Sequence, residues 1–333
     1  MTSLEALESL NQTIEKADAG VVRTIRLTFE NEPIYLAAVK GKEDGPSLWL
    51  EAALHGDECD GTAALMTLMK ELPARLKRGR VIVCPVVNPT AFAAGLAASP
   101  YDGKNLNRMG KEAGTTWSAR YFRWLADLIA GSADMMVDLH GGGAFLDVLS
   151  FALIPGEPAA VSEEMQEMCR HLDLDAMALT PQRGELINEM ASRGVRAVLL
   201  ENGGGSALSE AGIDCHLRNC RTIMALLSLT DGDGSKESGD HVTSGNTAGS
   251  GGKSPALIRH EYDYYFEQDG VLTTKTPVGT WLKRGDVVYG VTGLNGFEET
   301  VFYCPHERAV LLSVHNTARV AKGAYAAYLG TED

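Results

Sequence analysis

The chain opens on an amphipathic pattern, "MTSLEALESLNQTIEKADAG", that predicts a short helix. Residues 21–41 follow with two β-like stretches joined by a turn at Asn31 to Pro33, as in a hairpin. From there apolar runs recur at 47–54, 80–87, 134–139, 148–154, 175–179 and 196–200, each short and rich in Val, Leu, Ile and Met. Runs of this length without alternation predict strands buried on both faces. Helical patterns over 61–76, 116–131, 158–171 and 209–229 lie between many of them. Strands interleaved with helices predict an α/β fold with a mixed, mostly parallel sheet covered by helices.

That pattern ends at residues 231–255. "DGDGSKESGDHVTSGNTAGSGGKS" contains almost nothing that could be buried, so it reads as a flexible linker or exposed loop between a domain at 1–230 and another at 256–333. Beyond it the runs are short, β-like and punctuated by glycine, and they predict a small, separate β domain. "TPVGTWLKRGDVVYG" and "CPHERAVLLSVHNTARVAKGAYAAYLG" resemble the paired halves of biotinyl/lipoyl-like folds. The hairpin between them, "GLNGFEE", has no lysine to carry a prosthetic group. The expected role is a lid, an oligomer contact or a wall of a substrate cleft. Tyr264, Tyr265 and His306 are its candidates for reaching a site, with packing the more ordinary use of each.

Composition adds constraints. With 333 residues, 44% of them hydrophobic, the chain can bury a large core and two domains are expected rather than one. Thirty basic against 44 acidic residues give a formal charge of -14 with no basic run, which argues against nucleic-acid and anionic-membrane partners. An anionic substrate must then be met by local cations. No window approaches the roughly 18 apolar residues of a membrane span, and the N-terminus lacks a signal-peptide pattern. The six cysteines, 59, 84, 169, 215, 220 and 304, form no CxxC, so reduced thiols and a cytoplasmic protein are expected.

The candidate chemistry sits where strands end, because side chains at the carboxyl ends of strands in an open α/β sheet converge on a crevice. "LWLEAALHGDECDG" delivers His55 and Glu58, the second run delivers Asn88, "MMVDLHGGG" delivers Asp138 and His140, and "RAVLLENGGG" delivers Glu201. Two of these ends finish in three glycines, at 141–143 and 203–205, which lets backbone approach something closely. Two histidines and a glutamate suit zinc and leave a fourth position for water. His55 and Glu58, three apart, fall on one side of a helical turn. An HxxE alone is equally an ordinary polar turn; His140 at a second strand end favours a metal over a core histidine bonded to backbone. Asp138 shares a strand face with His140 and is a candidate partner for that ligand, or an acid bonded to a helix N-terminus.

"HGDE", "NPTAF", "SPYDGKNLNR", "VDLH" and "LLENGGG", in this order, resemble the succinylglutamate desuccinylase/aspartoacylase family, relatives of the zinc carboxypeptidases. The resemblance covers most of the chain, including the trailing β domain. It implies a zinc carboxypeptidase-like fold and a zinc amidohydrolase that removes the acyl group from an N-acyl amino acid or a similar small carboxylate-bearing amide. One zinc ion per chain would be held by His55, Glu58 and His140. Glu201 is implied as the general base toward metal-activated water, and Asn107 and Arg108 of "NLNR" as the pair that grips a substrate carboxylate. Burial at the end of an apolar run raises a carboxyl toward the range a general base needs, and the planar fork of Arg108 matches a carboxylate in two-point contact.

Two departures stand out. Family members commonly carry an arginine shortly after NPxAFxxG that suits the oxyanion; here Gly95 to Pro100 holds no cation. Losing such a donor weakens the transition state substantially, so another group must substitute or turnover must be slow. Arg183, Arg193 and Arg196 are candidates, though each also suits a surface role. The familiar "NLNRxFPG" is altered to "NLNRMGKEAG", so the carboxylate loop is expected to differ. A metallocarboxypeptidase acting on short peptides and a non-catalytic zinc-containing binder of a small amide remain the alternatives, and the β domain offers a surface for a homo-oligomer.

Overall fold

The computed structural model describes residues 1–112, 114–181, 184–205, 207–231 and 254–333; most of the expected linker, 232–253, lies outside these. Helix α1 (Ser3–Glu15) is started by a capping box: the Thr2 hydroxyl accepts the Glu5 N–H at 3.2 Å and the Glu5 carboxylate accepts the Thr2 N–H at 2.8 Å. Ala6, Leu10 and Ile14 form its buried face. The hairpin β1 (Arg23–Phe29) and β2 (Glu32–Lys40) follows where the pattern placed it.

The six apolar runs all become strands: β3 (Glu43–Ala52), β4 (Arg78–Cys84), β5 (Met135–His140), β6 (Leu146–Pro155), β7 (Ala176–Thr180) and β8 (Arg196–Gly204). Between them lie α2 (Asp60–Arg75), α3 (Pro89–Ala94), α4 (Trp117–Ala130), α5 (Ala159–Cys169) and α6 (Leu186–Ser192), and α7 (Glu210–Leu226) follows β8. The strands run in the order β1-β2-β4-β3-β5-β8-β6. The block β4-β3-β5-β8 is parallel, and the pairings that flank it are antiparallel.

Both faces of that block are covered, which is why its strands show no alternation. Leu48, Leu50, Val137, Val198 and Leu200 pack toward α2, α5 and α7. Trp49, Ile82, Met136, Ala197 and Leu199 pack toward α1, α4 and α6. The six cysteines are all free thiols. No helix among the described residues is long and apolar enough to cross a membrane.

The C-terminal β region contains β9 (Ala256–Ile258), β10 (His260–Tyr265), β11 (Gly270–Lys275), β12 (Trp281–Leu282), β13 (Val287–Gly293), β14 (Glu299–Tyr303), β15 (Ala309–His315), β16 (Arg319–Val320) and β17 (Tyr325–Thr331). It has a sheet of its own, β14-β13-β11-β16, and a core built on residues such as Phe266, Val288, Leu311 and Leu329. The sequence pattern predicts a separate unit, but β15, β17 and β10 continue the large sheet beyond β6. Ser313, Val314 and His315 pair with Val148, Asp147 and Leu146, and Phe151 and Ala178 share a core with Val310, Leu312 and Tyr328. The hydrophobic runs define each strand's faces but carry no information about which distant edge it joins.

Candidate metal centre

The parallel strands β3, β5 and β8 finish on one edge, and the predicted site gathers there. Beyond β3 the chain turns back against α3. A β-carbon on Gly56 would lie 2.1 Å from the carbonyl carbon of Ala91 and 2.2 Å from the nitrogen of Phe92, so only glycine lets the two backbones touch. Asn88, fully buried before α3, donates from Nδ2 to the Leu54 carbonyl at 3.1 Å. The "NPTAF" segment therefore braces the loop that carries His55. The glycine triplets serve backbone too: a β-carbon on Gly142 or Gly204 would come within 2.2 or 1.9 Å of the Leu146 carbonyl oxygen.

His55, Glu58 and His140 come together, with one ligand atom from each lying within 4.8 Å of the others. His55 Nδ1 is 2.8 Å from Glu58 Oε1, and His140 Nδ1 is 2.9 Å from Glu58 Oε2. The two imidazoles meet edge to face, 4.8 Å between centroids. Each ring is held from behind: His55 Nε2 lies 3.0 Å from Asn105 Oδ1, and His140 Nε2 lies 2.9 Å from Asp138 Oδ2. The Asn105 amide is oriented by the Asn107 N–H, which donates to the same Oδ1 at 2.8 Å. Both rear partners are acceptors, so a ring that keeps its proton on Nε2 would present the lone pair of Nδ1 on the side of Glu58. Lone pairs from two imidazoles and a carboxylate then face one another, a donor set that a divalent cation such as zinc fits.

The charges of the three groups are strongly tied to one another. Burial pushes the Glu58 carboxyl up, but His55 and His140 outweigh it and hold the group at about 2; the Gly141 N–H also donates to Oε2 at 3.1 Å. Burial works against a charged His140, yet Asp138 and Glu58 together raise its pKa well above the ordinary histidine value. Glu201 stands opposite His140 in the β5–β8 ladder. Its Oε2 is buried with no protein partner. Burial, with His140 and Arg108 opposing and the charges of Glu58 and Asp138 assisting, raises its pKa to about 8.

Asn107 and Arg108 sit in a short 3-10 turn, Leu106–Arg108, capped by the Asn105 side chain. Asn107 is buried, and its Oδ1 accepts the Leu186 N–H at 2.9 Å, tying the turn to α6. Arg108 is about half exposed, donates from Nη1 to the Asn107 carbonyl at 2.8 Å, and lies 3.6 Å from Glu185. Two residues escape sequence reasoning. Asn105 braces His55, and "NLNR" offers it no mark that distinguishes it from Asn107. His216, fully buried on α7, lies with Nε2 3.1 Å from the His140 carbonyl oxygen. Burial lowers its pKa to about 4, so it is neutral and donates there.

Neither described arginine proposed for the oxyanion reaches the site. Arg193 pairs with Asp127 and Glu189, and Arg196, at the opposite end of β8 from Glu201, pairs with Glu164. Arg183 lies outside the described residues. In the β domain, Tyr264 and His306 hydrogen bond to each other at 2.8 Å, and Tyr265 packs on Tyr325.

Residues 44–227 match the succinylglutamate desuccinylase/aspartoacylase catalytic domain, and the chain belongs to that family. A stretch of 111 residues is 38% identical to N-alpha-acetyl-L-2,4-diaminobutyric acid deacetylase from Halomonas elongata, covering 33% of this chain and 32% of that one. The match thus spans about a third of the relative's length. Among solved structures, a succinylglutamate desuccinylase from Silicibacter sp. TM1040 superposes with a TM-score of 0.76 at 21% identity, covering 93% of this chain and 94% of that one. The product-bound ectoine utilization protein EutE (DoeB) from Ruegeria pomeroyi gives 0.75 at 22% identity, covering 92% and 93%. At these identities the likeness is one of fold, and it extends through the C-terminal β region.

Proposed function

We propose that the protein is a metal-dependent N-deacylase that hydrolyses the amide of a small N-acylated amino acid. The observation that carries this reading is the convergence of His55, Glu58 and His140 beside Glu201 at one edge of the parallel block. The partial match to a deacetylase of an N-acetylated diamino acid supports the substrate class. A bound zinc ion supplies Lewis-acid polarisation and lowers the pKa of water toward about 7.

The chain supplies the rest. Asn105 and Asp138 fix the two ring orientations, so the ligand nitrogens need no rearrangement. Glu201 Oε2, buried and unpaired, takes the proton of the attacking water and returns it to the departing nitrogen, which leaves poorly as an unprotonated amide. Its burial raises the carboxyl above the ordinary carboxylate range, as a group that both accepts and returns a proton near neutrality needs. Arg108 offers its guanidinium to the substrate carboxylate, while Asn107 shapes the turn beneath it through Leu186.

Acyl-amino-acid and dipeptide panels, run with and without chelator, test the proposal. Chelator-sensitive hydrolysis of acyl amino acids is expected. Glu201→Gln should keep one metal per chain and lose turnover by on the order of 10²–10⁴-fold. Preference for dipeptides would favour a carboxypeptidase, and a metal-loaded wild type inert on both panels would favour a binding protein.

A further inference from the structure

Beneath the ligand cluster, the same face of the sheet carries two acids in the core. Glu51 of β3 and Asp138 of β5 are direct partners in the parallel ladder, and both are fully buried. Each already receives one donor. The Trp49 indole N–H reaches Glu51 Oε2 at 2.6 Å, and His140 Nε2–H reaches Asp138 Oδ2 at 2.9 Å. The remaining oxygens, Glu51 Oε1 and Asp138 Oδ1, are buried with no protein partner. Cys84, the partner of Glu51 on its other side, directs its thiol to the Val86 carbonyl and leaves Glu51 no donor.

Two neighbouring carboxylates in a dry core, each with one bare oxygen, would be strongly unfavourable. A single proton between the bare oxygens satisfies both at once, one as donor and one as acceptor. Asp138 already accepts from His140 and Glu51 has no other use for its bare oxygen, so the shared proton is placed on Glu51. Burial first, and then the charge of Asp138, push the Glu51 carboxyl well above the usual carboxylate range.

We infer that Glu51 is a positioning residue for the metal centre: as a neutral carboxylic acid it donates its O–H to Asp138, which in turn holds His140 with Nδ1 aimed at the ion. Trp49, Glu51, Asp138 and His140 thus form one buried chain of hydrogen bonds from the sheet core to the ligand. This rests on His55, Glu58 and His140 being metal ligands.

Two measurements test it. Infrared difference spectra of metal-free protein, in a Glu201→Gln background that removes the neighbouring acid with a raised pKa, should show a protonated-carboxyl band at neutral pH that shifts in D₂O and vanishes with Glu51→Gln. Metal affinity, by competition with a chromophoric chelator, should stay near wild type in Glu51→Gln, whose amide can still accept from Trp49 and donate to Asp138. In Glu51→Leu, which has no donor, it should fall on the order of 10–100-fold. A missing band in protein that binds metal overturns the role of Glu51 alone. So does an affinity that falls equally in both variants, or in neither. A wild type that binds no metal overturns the metal reading itself, and the positioning role with it, whatever the band shows.

Discussion

Replacing Asn105 with alanine should loosen the metal centre without touching a ligand. The Asn105 amide oxygen accepts from two donors, His55 Nε2 at 3.0 Å and the Asn107 backbone N–H at 2.8 Å. Truncation strands both, and each stranded donor costs about 1–3 kcal/mol when water cannot replace the lost acceptor. The His55 side chain is 14% exposed, which admits some water and favours the lower half of that range. A stability loss of about 2–5 kcal/mol follows from the two together.

Part of that loss should appear as metal affinity, because the His55 ring is then free to turn its ligand nitrogen away. Loss of a partner behind a ligand histidine lowers affinity on the order of 10–100-fold, or about 1.4–2.7 kcal/mol. Chelator competition measures the affinity, and thermal unfolding with and without metal measures the stability. Asn107→Ala is the control, since its side chain holds Leu186 rather than a ligand; it should lower Tm and leave affinity nearly intact. Asn105→Asp keeps the acceptor and should bind metal at least as well as the wild type. An Asn105→Ala protein with unchanged affinity, beside an Asn107→Ala protein with reduced affinity, would refute the reasoning.

Gly56→Ala places a methyl inside the contact with Ala91 and Phe92, where only backbone could yield. Overpacking of this kind costs about 1–3 kcal/mol or more, and calorimetry with metal analysis should find a lower Tm and less than one metal per chain. At Asp175, burial and the neighbouring Asp173 raise the carboxyl from 3.8 to about 6. An acid raised on folding contributes stability that is complete below its unfolded pKa and is lost as pH rises through the folded one. Asp175→Asn should therefore be more stable than the wild type at neutral pH, by on the order of 1 kcal/mol for a half-buried group screened by solvent. Thermal melts across pH should show that advantage shrinking to nothing in acid.

The candidate ligand set was readable because two strands of the doubly covered block, β3 and β5, are continuous apolar runs whose polar ends are conspicuous. His55, Glu58 and His140 stand where those runs stop, and the two-residue spacing of Asp138 and His140 fixes their common face. Asn105 was not readable in the same way. It and Asn107 look alike in "NLNR", and only the 3-10 turn sends one toward His55 and the other toward Leu186. Glu51 is one acid in an apolar strand, and its meaning depends on Asp138 being its neighbour in the ladder. Arg193 and Arg196 were plausible by position along the chain alone; their carboxylate partners lie away from the strand ends where Glu201 sits. The continuity of β6 with β15 is a pairing between residues more than 160 positions apart, beyond the reach of local pattern.

That continuity constrains how the substrate can enter. β6 begins a few residues after His140 and is stitched on one side to β8 and on the other to β15. The Asn316 N–H donates to the Phe145 carbonyl at 2.8 Å, and Lys275 pairs with Asp147. Swinging the C-terminal β region aside as a hinged cover would mean unzipping main-chain ladder next to the candidate ligands. Traffic to the site must instead be governed by the side chains and short loops at its rim, and removing residues 256–333 would leave a raw strand edge prone to sticking to other chains.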